Sequence, residues 1–123
     1  MIETPVVSIV DDDESIRQAL DGLLRSAGLP AAAFGSVEEF LRSGQLATTG
    51  CLILDLRMPG IDGLELQQRL VAEGHRVPII ILTAHGDDGA RDRALAAGAL
   101  ALLSKPFDAD VLLGAVSAAL GPR

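Results

Sequence analysis

Short apolar runs alternate along the chain with longer segments whose apolar residues recur at helical spacing. Val6–Val10 (VVSIV), Cys51–Leu54 (CLIL) and Pro78–Leu82 (PIIIL) are short and rich in β-branched or aliphatic residues. Such runs predict strands, and the second and third have the composition of strands buried on both faces. Pro30–Phe34 and Ala99–Leu103 are weaker strand candidates because their alanines are poor strand formers. The sequence therefore predicts five strands.

The intervening segments predict helices. The first spans Asp13–Ala27, and Gly28 follows it as a C-terminal cap; its apolar stripe is Ile16, Ala19, Leu20, Leu23, Leu24 and Ala27. Shorter helices are predicted at Ser36–Arg42, where Ser36 and Glu39 form a capping box, at Gly63–Ala72, and at Asp87–Ala97, which Gly98 ends. The apolar positions of the Gly63–Ala72 helix are Leu64, Leu66, Leu70 and Val71. A last helix follows Asp108, with a stripe of Val111, Leu112, Ala115, Val116, Ala119 and Leu120.

Five strand-helix units in succession predict an α/β fold with a parallel sheet, helices on both faces and right-handed crossovers. With five strands, the order 2-1-3-4-5 is favoured, which is a flavodoxin-like (βα)5 three-layer sandwich. A length of 123 residues suits one domain over residues 1–123.

Composition narrows the function classes. The net charge of −7 repels phosphate backbones, and aromatics make up only 2% of the chain, so nucleic-acid contact by this domain is not expected. The single Cys51 excludes an internal disulfide and is expected to be a buried thiol. The longest nearly apolar stretch, Ala94–Leu103, is too short to span a bilayer, and no signal peptide is evident. We expect no membrane association and a cytoplasmic location.

Polar side chains follow the strands at the edge of the sheet where such folds bind ligands. Asp11, Asp12 and Asp13 follow the first strand, and Asp55 follows the third. Thr83 follows the fourth strand, whereas Ser104 and Lys105 follow the fifth. The topology therefore predicts that carboxylates, a hydroxyl and an ammonium group meet at one rim.

This set of groups predicts phosphoryl chemistry supported by a divalent cation. Neighbouring carboxylates repel each other, so a cluster of them needs a counter-charge beyond that of Lys105. Oxygen ligands select Mg²⁺, Mn²⁺ or Ca²⁺, and Mg²⁺ typically takes one or two carboxylates and leaves room for phosphate oxygens. Asp55 can be the nucleophile towards phosphorus while Asp11 and Asp12 hold the metal. Lys105 and Thr83 then contact the phosphoryl oxygens.

At these residues the sequence resembles a bacterial two-component response-regulator receiver domain. The resemblance covers about Val6 to Leu120 and rests on four pieces in order, each at a strand end: Ile9–Asp13 (IVDDD), Leu54–Gly63 (LDLRMPGIDG), Thr83–Ala84 and Lys105–Phe107 (KPF). The runs Thr83–Asp87 and Asp55–Gly63 further resemble the FixJ-type subgroup, whose members usually carry a DNA-binding domain after the receiver.

The resemblance implies a role for each matching position. Asp55 would accept a phosphoryl group from a sensor histidine kinase or a histidine phosphotransfer protein. Asp11, Asp12, Asp55 and the backbone carbonyl of Arg57 would bind Mg²⁺, for which Mn²⁺ can substitute. Thr83 and Lys105 would contact the phosphoryl group, small Ala84 would keep it accessible, and the Lys105–Pro106 bond would be cis.

The same resemblance implies how the domain signals. The chain would act as a phosphorelay switch and not as an enzyme on an outside substrate, with Mg²⁺-dependent self-phosphorylation and autodephosphorylation only. Phosphorylation would alter the surface near the fourth helix and fifth strand, and homodimerisation is possible. The output would be transcription, controlled through an effector domain absent from this chain. One departure is Leu102, where the family commonly has Tyr or Phe, so backbone shifts after Thr83 would carry the output.

Several residues near the motifs receive structural interpretations. Asp13 is expected to cap the first helix and Asp62 to support its loop. His75 and His85 are expected to be solvated loop residues, with Met58 in a packing role and the Arg57 side chain in solvent. The three phenylalanines, Phe34, Phe40 and Phe107, are expected in the core or at its edge.

Three other function classes remain to be weighed. A Mg²⁺-dependent phosphatase with an aspartyl nucleophile often carries a second Asp two residues later, where this chain has Arg57. A flavodoxin-like cofactor binder would need a Gly- or Ser/Thr-rich phosphate loop after the first strand, where three aspartates stand instead. An unphosphorylated interaction module would have no need of the complete acidic set.

Overall fold

The structure is a computed structural model that describes residues 5–58, 60, 62–84 and 88–121, with the side chain of residue 88 excepted. The strands are β1 (Val6–Val10), β2 (Ala31–Phe34), β3 (Thr49–Asp55), β4 (Ile79–Thr83) and β5 (Ala101–Ser104). The helices are α1 (Glu14–Ser26), α2 (Val37–Ser43), α3 (Gly63–Ala72), α4 (Asp88–Ala96) and α5 (Ala109–Leu120). A short 3-10 helix, Gln45–Thr48, precedes β3 and was not predicted.

The five strands form one parallel sheet in the order β2-β1-β3-β4-β5, which confirms the predicted topology. One face is covered by α1 and α5, whose Leu20, Leu24, Leu112 and Val116 pack on β1, β3 and β4. The other face is covered by α2, α3 and α4. The result is a three-layer sandwich with a core on each side of the sheet.

The predicted helical stripes are correct at their centres and wrong at their edges. Leu20 and Leu24 of α1 are fully buried, but Ala19 and Ala27 are exposed. Val111 of α5 is more than half exposed, contrary to its place in the predicted stripe. Val71, one of the apolar positions of α3, is also more than half exposed. A stripe read from sequence is wider than the strip of helix that a sheet can cover, so its flanking positions face solvent.

The predicted end signals are mostly observed. Asp13 caps α1 by accepting hydrogen bonds from the backbone N–H groups of Ser15 and Ile16. Ser36 caps α2 through the N–H of Glu39, but the Glu39 carboxylate accepts from the N–H of Gly35, so the predicted capping box is displaced by one residue. Asp62 caps α3, in agreement with a supporting role for its loop. The Lys105–Pro106 peptide bond is cis, as the resemblance implied.

The structural interpretations of Cys51, the three phenylalanines, Met58 and His75 also agree with the structure. Cys51 is fully buried, and burial raises the pKa of its thiol to about 12. Phe40 is fully buried, with Phe34, Phe107 and Met58 packed at the edges of the two cores. His75 is an exposed loop residue. His85 and the predicted start of the fourth helix at Asp87 lie outside the described residues. Within the described ranges, no helix combines the length and apolar character needed to cross a membrane.

Candidate functional site

The carboxyl ends of β1 and β3 bring three carboxylates together. Asp11 follows β1 and is fully buried, Asp55 is the last residue of β3 and is 6% exposed, and Asp12 is exposed. One carboxylate oxygen from each lies within 4.8 Å of the other two. The β1–β3 register, in which Val10 pairs with Leu54, sets this proximity because the next residue on each strand then projects beyond the same edge.

Lys105 joins the cluster from the end of β5. Its Nζ lies 3.0 Å from Asp11 Oδ2 and 3.4 Å from Asp55 Oδ2, so one ammonium group bridges two carboxylates. Its backbone N–H donates to the carbonyl of Thr83 at 2.9 Å, which fixes the start of the β5–α5 loop against the end of β4. Asp11 is held further by the N–H of Asp13, which donates to Asp11 Oδ1 at 2.9 Å.

Among the residues that the structure describes, the three carboxylates of the site face the ammonium of Lys105. Two carboxylates at 4.8 Å repel each other by about 3 kcal/mol at an effective dielectric constant of about 20. Burial, followed by the charge of Asp11, raises the pKa of Asp55 from 3.8 to about 6, although Lys105 and the N–H of Arg57 act in the opposite direction. Burial alone would lower the pKa of Lys105, but its contacts with Asp11 and Asp55 outweigh that effect and raise it.

The donor set fits a hard divalent cation. All three side chains offer oxygen, and one oxygen from each converges within 4.8 Å of the other two. Among the described residues in ion-pair contact with the cluster, the ammonium of Lys105 contacts two of the three carboxylates. The N–H of Arg57 donates to Asp55 Oδ1 at 3.4 Å. This bond places the start of the β3–α3 loop, Leu56 and Arg57, next to the cluster. The part assigned to the Arg57 carbonyl stays a prediction.

Thr83 and Ala84 occupy the fourth strand end. Thr83 is buried, and its hydroxyl donates to the carbonyl of Ala84 at 3.3 Å rather than to an acid of the cluster. Ala84 is exposed. Leu102, opposite Ile81 in the β4–β5 register, is half-buried and packs against the core on the α3 and α4 side.

Sequence reasoning missed two residues of the site. A Cβ on Gly63 would collide with the backbone carbonyl oxygen of Asp55, so the first residue of α3 must be glycine for the helix to approach the strand end. Arg17 of α1 donates from Nη1 to the backbone carbonyl of Asp11 at 2.7 Å. Gly63 lay inside the quoted motif and hinted at a close approach, whereas nothing in the spacing of Arg17 distinguished it from a solvated charge.

Comparison with known proteins identifies the family. The family model described as the response regulator receiver domain matches residues 7–117 of this chain. The chain belongs to this family. It is 47% identical over 116 residues to the response regulator protein TmoT of Ectopseudomonas mendocina, covering 94% of this chain and 52% of that protein. It is 41% identical over 121 residues to the transcriptional regulatory protein FixJ of Azorhizobium caulinodans, covering 98% and 57% respectively.

A solved structure agrees with the receiver fold. The crystal structure of FixJ-N superposes with a TM-score of 0.87 at 34% identity, covering 97% of this chain and 95% of that one. The expected likeness to FixJ is therefore confirmed both in sequence and in structure. The receiver chain spans about half the length of the curated relatives TmoT and FixJ.

Proposed function

We propose that this receiver domain is a phosphorelay switch that accepts a phosphoryl group on Asp55. The observation that carries the proposal is the convergence of Asp11, Asp12, Asp55 and Lys105 at the edge of the sheet. A buried carboxylate flanked by other acids and one ammonium is a site built to receive a cation and an anion together. The family membership supports the same assignment.

The chemistry requires one bond to form and one to break. A carboxylate oxygen of Asp55 forms a P–O bond as the P–N bond of a phosphohistidine on a histidine kinase or phosphotransfer protein breaks, and the imidazole leaves with its electron pair. Asp11, Asp12, Asp55 and the Arg57 carbonyl would hold Mg²⁺, which when bound neutralises charge on the phosphoryl oxygens. The raised pKa of Asp55 indicates that the carboxylate form needs such neutralisation in this pocket.

Lys105 and Thr83 would receive the phosphoryl group. The ammonium already lies 3.4 Å from Asp55 Oδ2, so it reaches an oxygen attached to the same carboxylate without a large movement. The Thr83 hydroxyl would exchange its bond to the Ala84 carbonyl for one to a phosphoryl oxygen. Exposed Ala84 would leave the group accessible to water, which allows autodephosphorylation.

The output would leave the site through β4 and β5. Thr83 pairs with Ser104 in the sheet and accepts the N–H of Lys105, so a displacement of Thr83 acts directly on the end of β5. Because Leu102 replaces the usual aromatic, backbone movement after Thr83 would change the α4–β5 surface. Control of transcription through a separate effector domain, homodimerisation and a cytoplasmic location remain predictions.

The test uses a small phosphodonor in place of a kinase. The domain is incubated with acetyl phosphate and Mg²⁺, and intact mass is recorded for the native chain and for Asp55→Asn. We expect one base-labile phosphoryl adduct on the native chain only, lost when Mg²⁺ is chelated. Mg²⁺ binding without any adduct or release of phosphate would contradict the switch and favour an unphosphorylated interaction module.

A further inference from the structure

Arg17 holds the backbone between the two metal-binding aspartates. Its Nη1 donates to the carbonyl oxygen of Asp11 at 2.7 Å, a short distance typical of a charge-assisted hydrogen bond. That carbonyl belongs to the peptide unit that joins Asp11 to Asp12, and a peptide unit is planar and rigid. Fixing the carbonyl therefore fixes the direction in which the chain leaves Asp11 and presents Asp12.

The backbone of Asp12 is held on both sides, and Arg17 holds the side that leaves Asp11. Asp11 is anchored by three further contacts: its N–H donates to Phe34, its Oδ1 accepts from Asp13, and its Oδ2 lies beside Lys105. Asp12 is exposed, although its carboxylate lies with those of Asp11 and Asp55. Its placement thus depends on the two peptide units that flank it. Arg17 holds the first at the Asp11 carbonyl, and the bond from the Asp13 N–H to Asp11 Oδ1 holds the second.

The fold places Arg17 for this contact. It is the fourth residue of α1, its N–H donates to the carbonyl of the cap Asp13, and helical side chains lean towards the N-terminus of their helix. A long side chain at this position therefore reaches back past the cap to Asp11.

The turn between β2 and α2 lies beside the guanidinium group. A Cβ built on Gly35 would lie 3.5 Å from Arg17 Nη1 and 3.5 Å from Glu39 Oε2, so these opposite charges are at most about 7 Å apart. Glu39 is itself fixed by the N–H of Gly35 at 2.8 Å. The turn between β2 and α2 thus forms one wall of the Arg17 site and places the negative charge of Glu39 nearby.

We infer that Arg17 is a positioning residue for the divalent cation, acting through the Asp11–Asp12 peptide unit; the inference rests on the proposed function. The charge of Arg17 and its positioning contact have opposite effects on cation affinity, so a measurement of affinity can tell the two roles apart. As a positive charge near the cluster, Arg17 would weaken cation binding, so its loss would tighten it. As a positioning group, its loss would weaken binding, because outer contacts of metal ligands typically change affinity 10–100-fold.

The experiment titrates Mg²⁺ alone into the metal-free domain by calorimetry, comparing native protein, Arg17→Met and Arg17→Lys. Arg25→Met is the matched control. Arg25 also lies on α1 and donates to a backbone carbonyl, that of Ala31, but it makes no contact with Asp11, Asp12 or Asp55. We expect Arg17→Met to bind Mg²⁺ about 10-fold more weakly, Arg17→Lys to recover part of the loss, and Arg25→Met to match native protein. The amide resonances of Asp12 and Asp13 should shift in metal-free Arg17→Met.

Each outcome addresses one claim. Equal or tighter Mg²⁺ binding by Arg17→Met would overturn the inference and leave the proposed function intact. Failure of native protein to bind Mg²⁺ would instead contradict the proposed function itself. Should Arg17→Met fail to fold in the absence of metal, Arg17→Lys carries the test. Lysine keeps the charge but not the guanidinium contact with the Asp11 carbonyl, so native or tighter Mg²⁺ binding by that variant would show that this contact is not required and would overturn the inference.

Discussion

Replacing Asp55 by Asn should stabilise the metal-free domain near neutral pH, although it removes the proposed acceptor. Burial and the charge of Asp11 raise the pKa of Asp55 from 3.8 to about 6, so the folded protein resists its ionisation. The favourable contribution of the neutral carboxyl is complete below about pH 4 and is lost as pH rises through about 6. Asn cannot ionise and avoids that loss.

The expected magnitude follows from the same pKa values. A rise from 3.8 to about 6 corresponds to about 3 kcal/mol at about 1.4 kcal/mol per pH unit. Lys105 loses one of its two carboxylate contacts in the variant, which offsets part of the gain. We therefore expect Asp55→Asn to raise the free energy of unfolding by about 1–3 kcal/mol at about pH 7.5, with little difference at about pH 4.

Urea unfolding of both proteins with a chelator present, at several pH values between these limits, measures the difference directly. Asp92→Asn, at an exposed position on α4, is the control and should show no such pH-dependent gain. Added Mg²⁺ should shrink the difference by stabilising the native chain. Equal stability of native protein and Asp55→Asn at about pH 7.5, or a gain that does not change with pH, would refute the electrostatic account of the site.

Three further substitutions test single contacts. Gly63→Ala should lower the free energy of unfolding in urea by about 2–3 kcal/mol, because the new Cβ meets the carbonyl of Asp55. The control Gly22→Ala, which has open space around it in α1, should be neutral or stabilising. Similar effects of the two substitutions would contradict the close approach of α3 to β3. Asp13→Ala should cost about 1 kcal/mol by removing the α1 cap, and an unchanged thermal midpoint would argue against capping. Asp12→Asn should leave metal-free stability nearly unchanged but weaken Mg²⁺ binding at least about 10-fold in a calorimetric titration, and native affinity would exclude Asp12 as a ligand.

Strand ends made much of the site predictable. The apolar runs fixed where β1, β3, β4 and β5 stop to within a residue or two, and parallel strands end at one edge, so Asp11, Asp55, Thr83 and Lys105 had to share a rim. The alanine-rich β2 and β5 were weaker predictions, yet both form because they pair with strongly apolar neighbours. Tertiary pairing supplied what local propensity lacked.

Contacts that depend on the reach of a side chain or on the close approach of two elements were not predictable. The link from Arg17 to the Asp11 carbonyl depends on the reach of one side chain across a helix cap, and the collision that forces glycine at Gly63 depends on the approach of α3 to β3. Periodicity carries no information about either distance. It also overstated the buried stripe of α5 at Val111, because the extent of coverage is set by the sheet beneath.

The central claim is that Asp55 is the residue that carries the phosphoryl group, and locating the adduct tests it most directly. After reaction with acetyl phosphate and Mg²⁺, reduction by borohydride converts an aspartyl phosphate to homoserine, and peptide sequencing by mass spectrometry finds the converted position. We expect homoserine at Asp55 alone, with no conversion at Asp11 or Asp12. Conversion at another aspartate, or a phosphoryl group that resists reduction, would contradict the assignment.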